Sequence, residues 1–405
     1  MLLRDETWRL ATARKAAPMS HIAMVSIPFH GHVNPSLEVV RELAARGHRV
    51  TYANAPSFAD VVEATGAQLR PYRSTLPTTW TDDPVDALTA FLDDAIAMLP
   101  QLIAAYDDDR PDLFLYDIAG APARLLGERW GVPAVQLSPT SVAWDGYEQD
   151  TAAATEALRA DERGAAYFRR FTEWLTEQKS SVTDSVAFMG RPARCLALIP
   201  RAMQPQADRV DPAVYSFVGP ALGARATAGW RRPAGARRVL LVSLGSAFTD
   251  HPEFYRRCVA AFGELPGWHT VLQHGRHVPR AALGELPPSV EAHPWVAQPA
   301  VLDQADAFLT HAGMGGSAEG LWAGTPMLVA PQAADQFANA DRLVELGVAR
   351  RVDTATSTAD DLRAALLALV DDPAVTARAA ALRSEVRAAA GAATAADLIE
   401  AELPG

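Results

Sequence analysis

Thr310-His311-Ala312-Gly313-Met314-Gly315-Gly316-Ser317-Ala318-Glu319-Gly320 follows Ala305-Asp306-Ala307-Phe308-Leu309, an apolar segment of strand length, and precedes Leu321-Trp322-Ala323, which has helical character. The reading is strand, glycine-rich turn, helix. Such a turn gathers free backbone N–H groups and the positive end of a helix dipole at one point, where a phosphate is the natural guest. Gly313, Gly315 and Gly316 let a ligand approach the backbone closely. His311 and Ser317 add side-chain donors. Glu319, one turn into the helix, offers a carboxylate to both hydroxyls of a ribose. Taken alone, the segment reads equally well as a capped helix after a tight turn, with Glu319 as the N3 residue behind Gly316. It is not a Walker A loop, because no Gly-Lys-Ser/Thr follows, and it does not sit at the first strand as a dinucleotide fingerprint would.

Working outward, Trp295-Val296-Ala297-Gln298 lies just upstream. A tryptophan there can stack on a base while Gln298 bonds a ribose or base edge; core burial is the commoner fate of tryptophan. Downstream, Pro331-Gln332 leads to Asp335-Gln336, two side chains able to bond vicinal sugar hydroxyls. Asp335 reads alternatively as a helix N-cap. Strands are expected at 239–242, 270–272 and 326–330, and helices at 252–263, 335–346, 359–370, 373–389 and 392–403. Ser243-Leu244-Gly245-Ser246 follows the first of these strands.

The first half has the same grammar. His21 to Phe29 reads as a buried strand. Asn34 is a suitable N-cap and Pro35 suits the first turn of a helix ending at Gly47. Val50 to Ala53 is a second strand, so the chain opens with a βαβ unit and a parallel sheet covered by helices. Further strands are expected at 113–116 and 133–137, and helices at 86–106, 121–130 and 161–178. His32 lies just past the first strand and Asp117 at the end of another, the ends where open α/β sheets bind ligands. A histidine oriented by a carboxylate makes a general base. Individually they are also ordinary turn and strand-end residues, and His30 competes with His32 for the role.

The 405 residues suggest two or three domains, and the net charge of −11 argues against nucleic acid or anionic membrane as partner. No apolar run is read as reaching membrane-spanning length. Residues 1–20 carry Arg4, Arg9, Arg14 and Lys15 without a continuous apolar core, so they are not read as a secretory signal, and a cytoplasmic location is expected. Cys195 and Cys258 have no metal-type spacing and read as free, buried thiols. The acidic runs at Asp82-Asp83, Asp93-Asp94 and Asp107 to Asp109 read as solvated faces rather than a metal site. A composition shift from Gly219 to Arg238 marks a linker. The expected division is 20–218, a linker at 219–238, a second domain at 239–385, and a terminal helical segment at 386–405 returning to the first domain.

Together these segments resemble the UDP-glycosyltransferase superfamily. The resemblance is carried by Trp295-x-x-Gln298, His311-Ala-Gly-x-Gly-Gly-Ser-x-Glu319, Pro331-Gln-x-x-Asp335-Gln336 and Phe29-His-Gly-His32-Val-Asn-Pro35. The text HGHVNPSLEVVRELAARGHRVTYA, SLGSAF and ADLIEAELP looks like the actinomycete macrolide glycosyltransferases, the group that includes the oleandomycin glycosyltransferases. The resemblance implies a GT-B fold, two doubly wound Rossmann-like domains facing a central cleft. It implies sugar transfer with inversion, without a metal or other cofactor. Position by position, it implies His32 as catalytic base with Asp117 orienting it. It implies Trp295 at the base, Gln298 and Glu319 at the ribose, and His311, Gly316 and Ser317 at the diphosphate, with Gly245 and Ser246 opposite; Val296, Gly313 and Gly315 complete the expected donor-binding set. It places Asp335 and Gln336 at the sugar.

The expected reaction moves glucose from UDP-glucose, the co-substrate, to a macrolide-like acceptor and inactivates it. The acceptor is expected near Trp80, Phe91, Ser138, Trp144 and Tyr147, aromatic or irregular positions suited to a large hydrophobic, hydroxylated ligand. The alternatives are a biosynthetic transferase using a TDP-deoxysugar, a non-catalytic nucleotide-sugar or macrolide binding protein, and an epimerase of the same architecture, for which acidic groups at the anomeric carbon are not found. The oligomeric state is left open, a homodimer being one option.

Overall fold

The computed structural model describes residues 19–77, 83–223, 229–389 and 391–404. In the N-terminal half, β1 (His21–Val25), β2 (Arg49–Asn54), β3 (Gln68–Pro71), β4 (Leu113–Tyr116), β5 (Ala134–Ser138), β6 (Cys195–Ala197) and β7 (Tyr215–Phe217) form one sheet in the order β3-β2-β1-β4-β5-β6-β7. Every pairing in it is parallel. In the C-terminal half, β8 (Arg238–Ser243), β9 (Trp268–Gln273), β10 (Val290–His293), β11 (Ala307–Thr310), β12 (Met327–Val329) and β13 (Ala349–Arg351) follow the order β10-β9-β8-β11-β12-β13, again parallel throughout. Two doubly wound sheets facing a cleft are the GT-B arrangement.

The central strands are apolar without alternation because both faces are covered. In β1, Ile22 and Met24 enter a core with Val39, Val40 and Leu43, whereas Ala23 and Val25 enter another with Met98 and Leu102. In β8, Val239 and Leu241 face one core and Leu240 and Val242 the other. The core containing Leu241 also takes in Ala197, Ile199 and Met203 from the N-terminal half, so the two halves share buried contact at the base of the cleft.

Several local expectations are corrected. The first strand stops at Val25 rather than Phe29, and a one-turn helix, His30–Val33, follows. Asn34 does not cap the next helix. It lies in a 3-10 turn, Asn34–Ser36, with αR torsions, and the main helix is Leu37–Ala45. β3, β6, β7, β10 and β13 were not read as strands, because they are three or four residues long and several are polar. Asp94 is buried rather than solvated. It accepts hydrogen bonds from Ser74 Oγ (2.8 Å) and from Thr75 N (2.5 Å) and Oγ1 (3.1 Å), fixing that loop. Asp82 lies outside the described residues.

The helix Pro84–Tyr106, capped by Asp83, is long and apolar enough by length and hydropathy to cross a membrane, contrary to the expectation of no such run. Its packing accounts for its composition. Leu92, Met98, Leu99, Leu102 and Tyr106 enter the N-terminal core, and none of its large apolar side chains is exposed. The terminal helix Ala392–Glu400 lies on the N-terminal half, with Ala395, Ala396 and Ile399 in the core beside Leu43. Arg46 bonds Asp397 (2.6 Å) and Glu400 (3.0 Å) there. Cys195 and Cys258 are free and buried.

Candidate active site

In each sheet the strand order reverses beside the first strand, between β1 and β4 and between β8 and β11. A crevice opens at the carboxyl ends of such strands. The two crevices face each other across one cleft of about 1810 Å³.

On the N-terminal wall, the turn after β1 carries His32 and the end of β4 carries Asp117. His32 Nδ1 is hydrogen-bonded to Asp117 Oδ2. A carboxylate only accepts, so Nδ1 carries the hydrogen and Nε2 keeps its lone pair. Asp117 is 1% exposed and His32 21%, an arrangement that holds the orienting group in protein and leaves the imidazole at the cleft. The other carboxylate oxygen accepts the Gly120 N–H at 2.7 Å. A side chain at Gly120 would strike the Val25 carbonyl, so this turn needs glycine.

On the C-terminal wall, the loops after the strands present their groups in spatial sequence. After β10 comes Trp295, 51% exposed and therefore not a core residue. Gln298 Nε2 donates to Glu319 Oε2 at 2.7 Å. Glu319 lies in the second turn of the helix Met314–Ala323, whose N-cap is Gly313, so it is not the N3 capping residue. After β11 the chain bends through Ala312, a non-glycine residue at φ +61° held by its N–H bonding Thr310 Oγ1 at 3.2 Å. Such a left-handed alanine is costly and persists only where its surroundings demand it.

His311 sits between two glycine backbones. A Cβ at Gly245 would come within 2.6 Å of its ring, and one at Gly313 would collide with Nε2. The residue keeps an edge at the cleft but is packed in protein, and desolvation pushes its pKa down to about 4, against a partial rise from a backbone hydrogen bond at Ser243. It is a neutral donor near pH 7. After β12, Asp335 caps no helix with its side chain and instead accepts from Asn339 Nδ2 at 2.9 Å. Burial raises its pKa, and the Asn339 hydrogen bond acts the other way. Gln336 Oε1 accepts the Gln332 and Ala333 N–H groups (2.9 and 3.2 Å), which orients its amide.

Of the remaining named positions, Gly245, Ser246, Val296, Gly315 and Gly316 line the cleft. Ser317 does not. It is fully buried, its Oγ lacks a hydrogen-bond partner among the described residues, and helical rotation turns it away from the cleft that Gly316 and Glu319 line. The expected acceptor positions are likewise displaced. Trp80 lies outside the described residues. Phe91 packs on the N-terminal core, and Ser138 Oγ donates to the Thr140 carbonyl at 2.9 Å. Trp144 and Tyr147 pack edge to face at 4.9 Å, with Trp144 against the core shared by both halves. The N-terminal cleft wall is instead Phe29, Phe58, Leu76, Ile118, Pro139 and Thr140. These belong to segments brought in by the sheet, which no local pattern marks.

Gln273, unremarked in the sequence, ties this wall together. It is buried at the end of β9. Its Nε2 donates to Gly245 O (2.9 Å) and Ser243 Oγ (3.2 Å), and its Oε1 accepts Val296 N–H (3.0 Å). An amide closing the apolar pair Val271-Leu272 at the carboxyl end of a strand is the available signal. Gln273→Leu keeps the volume but leaves buried partners unmet, which costs about 1–3 kcal/mol. It is expected to lower the unfolding midpoint in urea titration, because the loops after β8 and β10 lose their common tie. An unchanged midpoint would contradict that role.

Residues 220–385 match the UDP-glucoronosyl and UDP-glucosyl transferase family. The chain is 58% identical over 394 residues to an oleandomycin glycosyltransferase of Streptomyces antibioticus, covering 95% of this chain and 91% of that one. It superposes on the crystal structure of the kitacinnamycin glycotransferase with a TM-score of 0.89 at 55% identity, covering 95% and 99% of the two chains. With the calicheamicin glycosyltransferase CalG4 the TM-score is 0.83 at 33% identity, covering 95% and 98%.

Proposed function

Because this chain belongs to the UDP-glucoronosyl and UDP-glucosyl transferase family, and is a glycosyltransferase similar to the actinomycete macrolide enzymes, we propose that it transfers glucose from UDP-glucose to a hydroxyl of a macrolide-like acceptor, with inversion and without a metal, and that the transfer inactivates an antibiotic. The observation carrying this reading is the pairing of cleft-facing His32 with buried Asp117 on one wall of a cleft whose other wall presents Trp295, Glu319, His311 and Asp335.

In this reading the acceptor hydroxyl gives its proton to His32 Nε2. Its oxygen bonds the anomeric carbon from the face opposite the leaving phosphate. The carbon–oxygen bond to the diphosphate breaks, and UDP leaves with the electron pair. His311 and the N-terminal N–H groups of Met314–Ala323 meet the growing charge. Glucose rather than a deoxysugar is favoured by Asp335 and the oriented Gln336 amide, two polar groups that hydroxyls would satisfy. The apolar wall around Phe29, Phe58 and Ile118 suits a large hydrophobic acceptor.

Mass spectrometry of products from UDP-glucose and from TDP-deoxysugars, each with macrolide and phenolic acceptors, tests the reading. A mass gain of one hexose on a macrolide, with loss of its antibacterial activity, is expected. Turnover confined to TDP-deoxysugars would favour a biosynthetic role, and binding without turnover a non-catalytic one.

A further inference from the structure

His30 is left unused by that mechanism, although it sits two residues from His32 in the same helical turn, His30–Val33. Two residues along a helix turn a side chain through roughly 200°, so the two imidazoles point to opposite sides. His32 reaches back to Asp117 of its own half. The His30 ring instead packs against Trp295, which belongs to the other half, with centroids 4.6 Å apart and the ring planes tilted by 37°. Behind it stands Phe58, at 5.0 Å and 57°, seated in the N-terminal core. Phe58, His30 and Trp295 thus form a ladder of rings across the cleft.

We propose that His30 is a positioning residue: its packing against Trp295 registers the turn carrying His32 against the donor-binding half. The proposal rests on the transferase reading, in which Trp295 also bears the nucleobase. The turn is then held from both sides, by Asp117 within its domain and by Trp295 from across the cleft. The position of the catalytic base is coupled to the loop that carries the nucleotide. A short turn gripped on one side alone can tilt, and a displacement of about 1 Å at reacting groups costs on the order of 10²-fold in rate.

The test compares His30→Ala and His30→Phe with wild type in kcat, donor KM, UDP affinity by calorimetry and the pH dependence of kcat. His30→Ala is expected to lower kcat by roughly 10- to 10²-fold, with UDP affinity, melting temperature and the limbs of the pH profile near wild type. His30→Phe, which keeps a ring but no titratable group, is expected to restore most of kcat. Wild-type kcat in His30→Ala overturns the proposal, as does a phenylalanine variant as slow as the alanine one. A limb of the pH profile lost in His30→Phe makes His30 itself the base and also overturns it. If wild type transfers sugar from no nucleotide donor, the proposal falls together with the transferase reading; wild-type transfer with a normal His30→Ala rate removes this proposal alone.

Discussion

His32→Ala is expected to lower kcat for sugar transfer by about 10²–10⁴-fold, or about 3–5 kcal/mol of barrier, with UDP binding little changed. The split follows from the geometry. His32 belongs to the N-terminal wall, whereas the groups assigned to the nucleotide all belong to the C-terminal wall. An acceptor hydroxyl is a weak nucleophile near neutral pH, and Nε2 is the acceptor that the Asp117 hydrogen bond leaves open toward the cleft. Asp117→Asn is expected to impair kcat in the same direction. The replacement amide can present N–H where the carboxylate accepted, which disfavours the Nδ1–H form of the ring. Single-turnover rates alongside calorimetric UDP titration separate the two steps. A His32→Ala chain turning over at the wild-type rate would remove the base assignment.

His311→Ala carries the second large effect. Loss of one preorganised donor to a developing anion costs about 10²–10³-fold in kcat. His311 is pushed to a pKa of about 4 by burial, so it contributes an N–H rather than a full charge, and the remaining stabilisation comes from the amino end of Met314–Ala323. Gly313→Ala should reproduce much of the defect without touching the imidazole, because its Cβ would collide with the ring.

The same residue leaves a mark on stability. Its native pKa of about 4 lies below the ordinary 6.5, so between these values the unfolded chain binds more protons than the native one. Stability from this group therefore rises with pH and is lost as pH falls from 6.5 toward 4. Wild type is expected to lose melting temperature more steeply than His311→Ala across that interval. Parallel slopes would show that the imidazole is not desolvated.

The legibility of this chain followed the length scale of each signal. β1, β4, β8 and β11 are recognisable because a strand buried on both faces must be apolar along its length. The short outer strands β10 and β13 escape for the opposite reason: Val290-Glu-Ala-His and Ala349-Arg-Arg are assigned by pairing to a neighbour, not by composition. The loops of the C-terminal cleft wall are contiguous segments whose residue types carry their chemistry at local spacing, so they stand out in a linear text. The hydrophobic cleft wall is assembled from single residues after many different strands. An aromatic residue in an irregular segment, such as Trp144, gives no sign of which side of the sheet it will reach.

What the sequence determined by itself is the class of fold, through the period of its apolar runs, and the chemical character of the turn at 310–320. What only the tertiary structure decided is which side chains meet. Asp117 joins His32 because β1 and β4 are neighbours in a sheet that the chain leaves and re-enters. His311 is a neutral donor because the loops after β8 and β11 close around it, with Gly245 and Gly313 against its ring. Ser317 is turned away from the cleft and Gln273 made central by rotation about a helix and by the end of one strand. Hydrogen-bond geometry and desolvation depend on distances across the fold, and spacing along the chain does not contain them.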